Sequence, residues 1–473
     1  MTFNSILEGY TKKKSYYNGE TVDIMVNCPL VKDIGTHTTK TTTYNLEIYD
    51  INKIKIFSEM NISGIQQQYT LNSFAEGCNW KVSYKYTIPE DLKSGKYIIK
   101  IYNTSEKFHM VFVVKNNSSK NKIVVLSNVN SDNAYNYWSG TQNKCSLYTW
   151  SSSLTNTNIV EKYKNKKLQV IPGGGTQAGD FSYCASFERP DSLVSSKVNS
   201  WLIRSLTSKH WDPRNTGEYR LLHWLNEKNY EYDVITDIDL HENPSILNNY
   251  KILVLHCHAE YWSKDMLQGL HNFIQNKGNL INLAGNVLYW KCTIKNGQME
   301  VRKDGSQHNH TNEKGGLWED LQDEIYPLPI PEKITGLRFM FSSWNILSHK
   351  IWGGYRIKQP NHWIFENVNK NYIGEESLNA YSDSNLQGAS GWEYDKVFDP
   401  NLQQYIIAQG YIVNKIYNGN DMIYFENNGK IFSTGSVTFT GALPVDNNIS
   451  TILMNVINTL WRSSRVVDYG LLH

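Results

Sequence analysis

The chain has 473 residues, about three domains' worth at roughly 150 residues each, so it is neither a peptide nor a small disulfide-stapled scaffold. Its 47 Lys+Arg against 45 Asp+Glu leave a formal net charge of +2, which offers no whole-molecule field to nucleic acid or anionic lipid. With 40% hydrophobic and 19% charged residues it is no disordered polyelectrolyte, and its surplus is aromatic: 14 Trp, 31 Tyr and 15 Phe, 13% of the chain.

The opening segment MTFNSILEGYTKKK carries no apolar h-region, and no apolar run approaches the roughly 18 residues of a membrane span. Six cysteines, at 28, 78, 145, 184, 257 and 292, form no CxxC pair, so a cytoplasmic, reducing location is expected. From residue 15 to 115 apolar residues alternate, as in Val22/Ile24/Val26, Leu46/Ile48, Val82/Tyr84/Tyr86/Ile88 and Tyr97/Ile99/Ile101. Turn signals at Asn18-Gly19, Pro89-Glu90 and Ser94-Gly95 separate the runs, and no helical window interrupts them. This patterning predicts an immunoglobulin-like β-sandwich over 1–118. The polar run KNNSSKNK has nothing to bury and marks the boundary.

Residues 119–473 read differently, as an α/β domain with a mainly parallel sheet. Short apolar runs at Ile123–Leu126, Tyr232–Thr236, Ile252–Leu255 and Leu280–Leu283 predict buried strands. Between the last two, Ser263 is placed to cap a helix whose stripe is Met266, Leu267, Leu270, Phe273 and Ile274, and Gly278 to end it. A second helix is predicted over Tyr219–Asn229. From about 296 to 400 the reading is loops and short strands. A hairpin at Asn428-Gly429, a strand Lys430–Ser433 and a helix from Ser450 close the chain.

In open parallel sheets ligands bind beyond the carboxyl ends of the strands. Three runs there hold reactive residues: SNVNSDNAYNYW with Tyr135 and Asn136, HCHAEYW with His256, His258, Glu260 and Tyr261, and AGNVLYW with Gly285, Asn286 and Tyr289. His256 and His258, two apart on an extended segment, suit one metal, with Glu260 adding an oxygen donor on the same side, yet His, Glu and Tyr at a strand end also suit capping of loop amides and of the following helix. Cys257 beside two histidines suggests a cysteine nucleophile, although the flanking glycines of a nucleophile turn are missing and a packed thiol is the plainer reading. His308 and His310 in GSQHNHTNEK read as a solvated loop, with a metal pair as the sharper alternative. The run Gly173-Gly174-Gly175 lacks the Gly-Lys-Ser/Thr ending of a P-loop and reads as a turn.

Taken in order, GYTKKKSYYNGETVDIMV, Ala134-Tyr135-Asn136, Ser146-Leu147-Tyr148 and Ser186-Phe187-Glu188-Arg189-Pro190 form the first half of a motif series. His258-Ala259-Glu260-Tyr261-Trp262, Gly285-Asn286 with Tyr289-Trp290, Gly315-Gly316-Leu317-Trp318, Gly391-Trp392-Glu393-Tyr394-Asp395 and Phe432-Ser433 with Gly435-Ser436 complete it. The series covers nearly the whole chain and resembles the large-subunit (beta) family of N,N-dimethylformamidase. That family joins an immunoglobulin-like domain to an α/β domain related to class I glutamine amidotransferases.

The resemblance implies an amidohydrolase that cleaves a small-molecule amide with one iron, ferric by its ligand set. Its ligands would be Tyr135, Glu260 and a second tyrosine, Tyr183 with Tyr148 as rival. His258 and Glu393 would be catalytic, and Asn136, Tyr148 and Asn286 substrate-binding. It also implies a small partner subunit and an oligomer. Phenolate and carboxylate are hard oxygen donors suited to such an ion, and binding would ionise a tyrosine whose free pKa is about 10. Departures from the family pattern lie around the presumed pocket. Asn136-Tyr137-Trp138-Ser139-Gly140 replaces Asn-x-Trp-Gly-Gly, Ala259 stands for the usual proline, and Asp191 for an aromatic. The rival readings are a metal-free hydrolase using Cys257 and a histidine, and a non-enzymatic carbohydrate- or protein-binding module.

Overall fold

The computed structural model describes residues 2–3, 6–32, 39–40, 42–69, 73–117, 121–136, 138, 147, 183–191, 217–342, 352–378, 388–391, 393–412, 415 and 417–462. Tyr148 and the run Gly173-Gly174-Gly175 lie outside them.

The alternation of the first hundred residues folds into two sheets. Glu8–Thr11, Thr21–Asn27 and Tyr84–Thr87 form one. Ser15–Tyr17, Thr43–Tyr49, Lys55–Ser63, Gly95–Tyr102 and Lys107–Lys115 form the other. Because residues two apart share a face, Val22, Ile24, Val26, Leu46, Ile48, Ile99 and Ile101 all enter one core. Val82 departs from its expected strand and is exposed, since Gln67 hydrogen-bonds both backbone groups of Lys81 and holds that segment as a loop.

After the sandwich come β1 (Ile123–Ser127), β2 (Tyr232–Thr236), β3 (Ile252–Cys257), β4 (Asn279–Ala284), β5 (Trp352–Ile357), β6 (Tyr372–Ile373), β7 (Ile406–Ile412), β8 (Tyr417–Asn427) and β9 (Gly429–Ser433). They make one sheet in the order β2-β1-β3-β4-β9-β8-β7-β5-β6. The pairs from β2 to β9 are parallel and the rest antiparallel, so the sheet is mixed rather than mainly parallel. Antiparallel strands need no covering crossover helix and can dispense with a continuous apolar run, which is why β5 and β6 fall in the stretch that reads as loops and short strands, while β8 and β9 form the hairpin expected at Asn428-Gly429.

The longest helices among the described residues are α1 (Val129–Tyr135), α2 (Gly217–Glu227), α3 (Lys264–Gln275) and α4 (Asn447–Arg462); shorter ones include Asp237–Glu242 and a single turn at Ser73–Glu76, which interrupts the N-terminal strands where no helix was expected. Ser263 Oγ accepts the Met266 N–H at the start of α3, and the five stripe residues are buried. The left-handed residue at its end is Lys277 (φ 63°), not Gly278. Gly278 is needed for a different reason: a Cβ there would lie 2.4 Å from the Phe273 ring. α4 starts before Ser450 because the Asp446 carboxylate accepts the N–H groups of Asn448 and Ile449.

The sandwich meets the second sheet through buried polar contacts. Lys96 Nζ lies 2.6 Å from Glu218 on α2, with side chains only 6% and 9% exposed. Burial opposes both charges, yet each partner holds the other ionised, raising the lysine's pKa and lowering the glutamate's. Ser15 donates to Asp239 (2.7 Å), and Lys115 pairs with the same carboxylate. Trp138, just past α1, donates to Glu8 (2.7 Å) and packs edge-on against Trp80.

A four-stranded sheet, Cys184–Ser186, Gln298–Val301, Trp290–Lys295 and Tyr261–Trp262, flanks the large one. The His308 loop folds onto it, and His308 is fully buried with Nδ1 3.1 Å from Thr293 Oγ1, which corrects the reading of a solvated loop. Among the described residues Cys28, Cys78, Cys257 and Cys292 are free thiols, and no helix is long and apolar enough to cross a membrane.

Candidate active site

β1 has β2 on one side and β3 on the other, so the strand order reverses there and a crevice opens beyond the carboxyl ends. β3 ends at Cys257 in the left-handed region (φ 51°), which turns the chain across the sheet edge. The turn is packed hard against α2: a Cβ at Gly217 would meet Cys257 Sγ at 2.1 Å. His258, Ala259 and Glu260 follow, all buried. The Glu260 backbone is clamped from two sides, its N–H donating to Ser131 Oγ of α1 (3.1 Å) and its carbonyl accepting from Tyr289 and Trp290 (2.9 Å each).

Tyr135, the last residue of α1, brings its phenol into the same space. Its Oη lies 2.6 Å from Glu260 Oε2 and 2.6 Å from His258 Nε2, and those two atoms are 3.0 Å apart. On the other side of the imidazole, Nδ1 lies 3.2 Å from the Gly285 carbonyl and 3.4 Å from Glu393 Oε2. Burial disfavours an imidazolium, but Glu393 and Glu260 together raise His258 to about 9. Burial pushes Glu393 up to about 7, with Glu260 repelling its charge and His258 opposing the rise. Glu260 moves the other way, because His258, Lys303 and Tyr135 outweigh its burial. Two carboxylates in one pocket are thus driven to opposite protonation tendencies, a pattern that suits acid–base work.

Asn286 (φ 51°) is held by its N–H to Asp395 Oδ1 (2.7 Å), and its amide reaches Glu260 Oε1 at 3.5 Å. Among the described residues its Oδ1 and the Glu393 Oε2 are buried without hydrogen-bond partners; the latter's 3.4 Å approach to His258 is an ion-pair contact. Lys303 completes the site and was not apparent in the sequence, where a lysine after a short strand reads as solvated. Its ammonium is buried, makes one hydrogen bond to Tyr261 Oη (2.7 Å) and lies over the Tyr261 and Trp290 rings at 4.8 and 4.9 Å. Burial lowers its pKa to about 7 against the pull of Glu260 and Glu393.

The structure therefore brings Tyr135, His258, Glu260, Glu393 and Asn286 together. It directs two others elsewhere: Tyr183 donates to Asp304 (2.9 Å) under the Arg302 guanidinium at 3.7 Å, and the Asn136 amide donates to the Pro190 carbonyl (2.9 Å) while accepting from Trp138 N–H. The Cys257 thiol contacts Thr440 Oγ1 at 3.3 Å rather than an imidazole, and burial pushes it up to about 12, so it has no activating base.

Arg189, from the Ser-Phe-x-Arg-Pro run, explains how Tyr135 is fixed. Its buried guanidinium donates to the carbonyls of Ser186, Asn136, Trp138 and Asn133 and to Asn133 Oδ1, all at 2.9–3.1 Å. That places a fork of donors on the carbonyls that end α1. Arg189→Lys keeps the charge and loses the fork, so turnover should fall about tenfold to 100-fold with substrate binding less affected, as steady-state kinetics would reveal.

Tyr135 Oη, Glu260 Oε2 and His258 Nε2 form a cradle of hard oxygens with one imidazole, and this donor set fits a small, highly charged cation.

Residues 50–451 match a family described as N,N-dimethylformamidase beta subunit-like, C-terminal. Two curated relatives are N,N-dimethylformamidase beta subunits, from Alcaligenes sp and Paracoccus aminophilus, each 26% identical over 469 residues. The matches cover 85% and 84% of this chain, which spans only 57% of the length of either relative. Among solved structures, Escherichia coli alpha-2-macroglobulin activated by porcine elastase aligns with 24% of this chain and 9% of its own at 12% identity, with a TM-score of 0.17 that carries no argument about fold.

Proposed function

The chain belongs to the N,N-dimethylformamidase beta subunit-like family, and from that membership and the strand-end cluster we propose that it hydrolyses a small, uncharged amide. The observation that carries this reading is the convergence of Tyr135, His258 and Glu260, within 3.0 Å of one another, with the buried Glu393 carboxylate 3.4 Å from the other side of the imidazole.

Tyr135 and Glu260 would hold an iron ion, with His258 beside them. Bound there, iron would polarise an amide carbonyl and acidify water. The chain's own residues supply the rest. Glu393, poised near neutrality, takes the proton from the attacking water, while His258, held protonated by Glu393 and Glu260, gives its proton to the leaving nitrogen as the C–N bond breaks to give acid and amine, and Glu393 at 3.4 Å then restores it. Lys303 has two N–H groups beyond its bond to Tyr261 and is placed to hold the amide oxygen, while Asn286 Oδ1 offers an acceptor to the substrate. The near-neutral charge suits a substrate that needs no steering field. The relatives' name, beta subunit, supports a partner subunit as well.

The test is the purified full chain, assayed for amine release from N,N-dimethylformamide and related formamides and for iron. The expected result is turnover with visible absorption of tyrosinate bound to ferric iron. Glu260→Ala should remove both the colour and the activity. Protein that takes up no iron and releases no amine from any amide would overturn the proposal.

A further inference from the structure

A second group of ligand atoms converges away from the Tyr135 pocket. Cys184 and Glu300 are cross-strand partners in the four-stranded sheet, and Thr293 is the partner of Glu300 on its other side. Residues directly opposite one another project to the same face. The following loop folds back over that face, so that the Cys184 sulfur, a Glu300 oxygen and a His310 ring nitrogen lie within 4.8 Å of one another.

The two oxygens of Glu300 have different surroundings. Oε1 is taken by Arg302 (2.6 Å) and the Asn309 N–H (2.9 Å). Oε2 accepts the His310 N–H (2.9 Å) and otherwise faces His310 Nδ1 at 3.7 Å and His308 Nδ1 at 3.9 Å, with no hydrogen bond to either ring. Both Nδ1 atoms share the Thr293 hydroxyl, at 3.1 and 3.2 Å, whose single proton serves one of them at a time. His308 is fully buried and its Nε2 has no hydrogen-bond partner among the described residues.

We propose that Cys184, Glu300 and His310 bind a zinc-like divalent cation as a structural clip. Thiolate, imidazole and one carboxylate oxygen form the mixed donor set that zinc favours, in contrast to the hard oxygens around Tyr135. Arg302 and Asn309 then play the usual outer role, holding the carboxylate by the oxygen that does not bind metal. Tetrahedral bonds of about 2.0–2.3 Å put ligand atoms roughly 3.3–3.8 Å apart, so the ion would draw the group inward by about 1 Å. The clip joins the strand that leads into Arg189 to the loop that carries Lys303, and it does not depend on which amide the chain cleaves.

The experiment uses the full chain with zinc and cobalt(II) chloride as probes. Cobalt should give a thiolate charge-transfer band that Cys184→Ser abolishes and Glu260→Ala leaves in place, and His310→Ala should weaken uptake by about tenfold or more. In the unaltered protein, zinc should protect Cys184 from iodoacetamide in peptide mapping. Natively folded wild-type protein with neither the cobalt band nor the protection would overturn the proposal. So would a band that survives Cys184→Ser.

Discussion

Glu393→Gln should leave the chain folded and its metal uptake intact while amide turnover falls by about 10²–10⁴-fold. The substitution keeps the side chain's shape and removes the group that can carry a proton, and Glu393 stands behind His258 rather than among the atoms clustered at Tyr135. Measuring turnover, thermal midpoint and iron content on the same preparation separates chemistry from folding. A loss of less than about tenfold would transfer the base to His258. A loss of iron in step with activity would make Glu393 a metal ligand instead.

Lys96→Met should be the most damaging single change outside the active site, at about 3–5 kcal/mol, because it leaves Glu218 buried and unpaired. Removing both charges with Lys96→Met and Glu218→Leu should recover much of that loss, since a dry apolar contact costs less than one orphaned carboxylate. Urea denaturation of the two single variants and the double variant gives the comparison. A single variant within about 1 kcal/mol of the parent would mean that water reaches Glu218. Neither residue stood out in the sequence, where Lys96 sits on an alternating strand and Glu218 at the start of a helix.

What could be read from the sequence follows physical rules. β1, β2, β3 and β4 were legible because a strand buried on both faces must be a continuous apolar run, and their carboxyl ends directed attention to Tyr135, His258, Glu260 and Asn286. Glu393 was legible only through its motif, because nothing in the local spacing says that its side chain meets His258. β5 was hidden by its glycines: at Gly354 an added Cβ would lie 2.0 Å from the Ile373 carbonyl, so the close approach of β6 demands the residue that makes the segment look like a loop. Lys303 was hidden because its burial comes from the closure of rings belonging to distant segments, Tyr261 and Trp290.

Trp138 gives the sandwich a role in how long the proposed activity lasts. Its indole is held by Glu8 and packed edge-on against Trp80, and its carbonyl is gripped by the same arginine that steadies Tyr135. Loosening of the N-terminal β-structure would therefore reach the chemistry before the large sheet melts. Inactivation on storage or mild heating would then be set by the half-life of that junction, and an operator seeking a longer-lived catalyst would do better to reinforce the seam than the core.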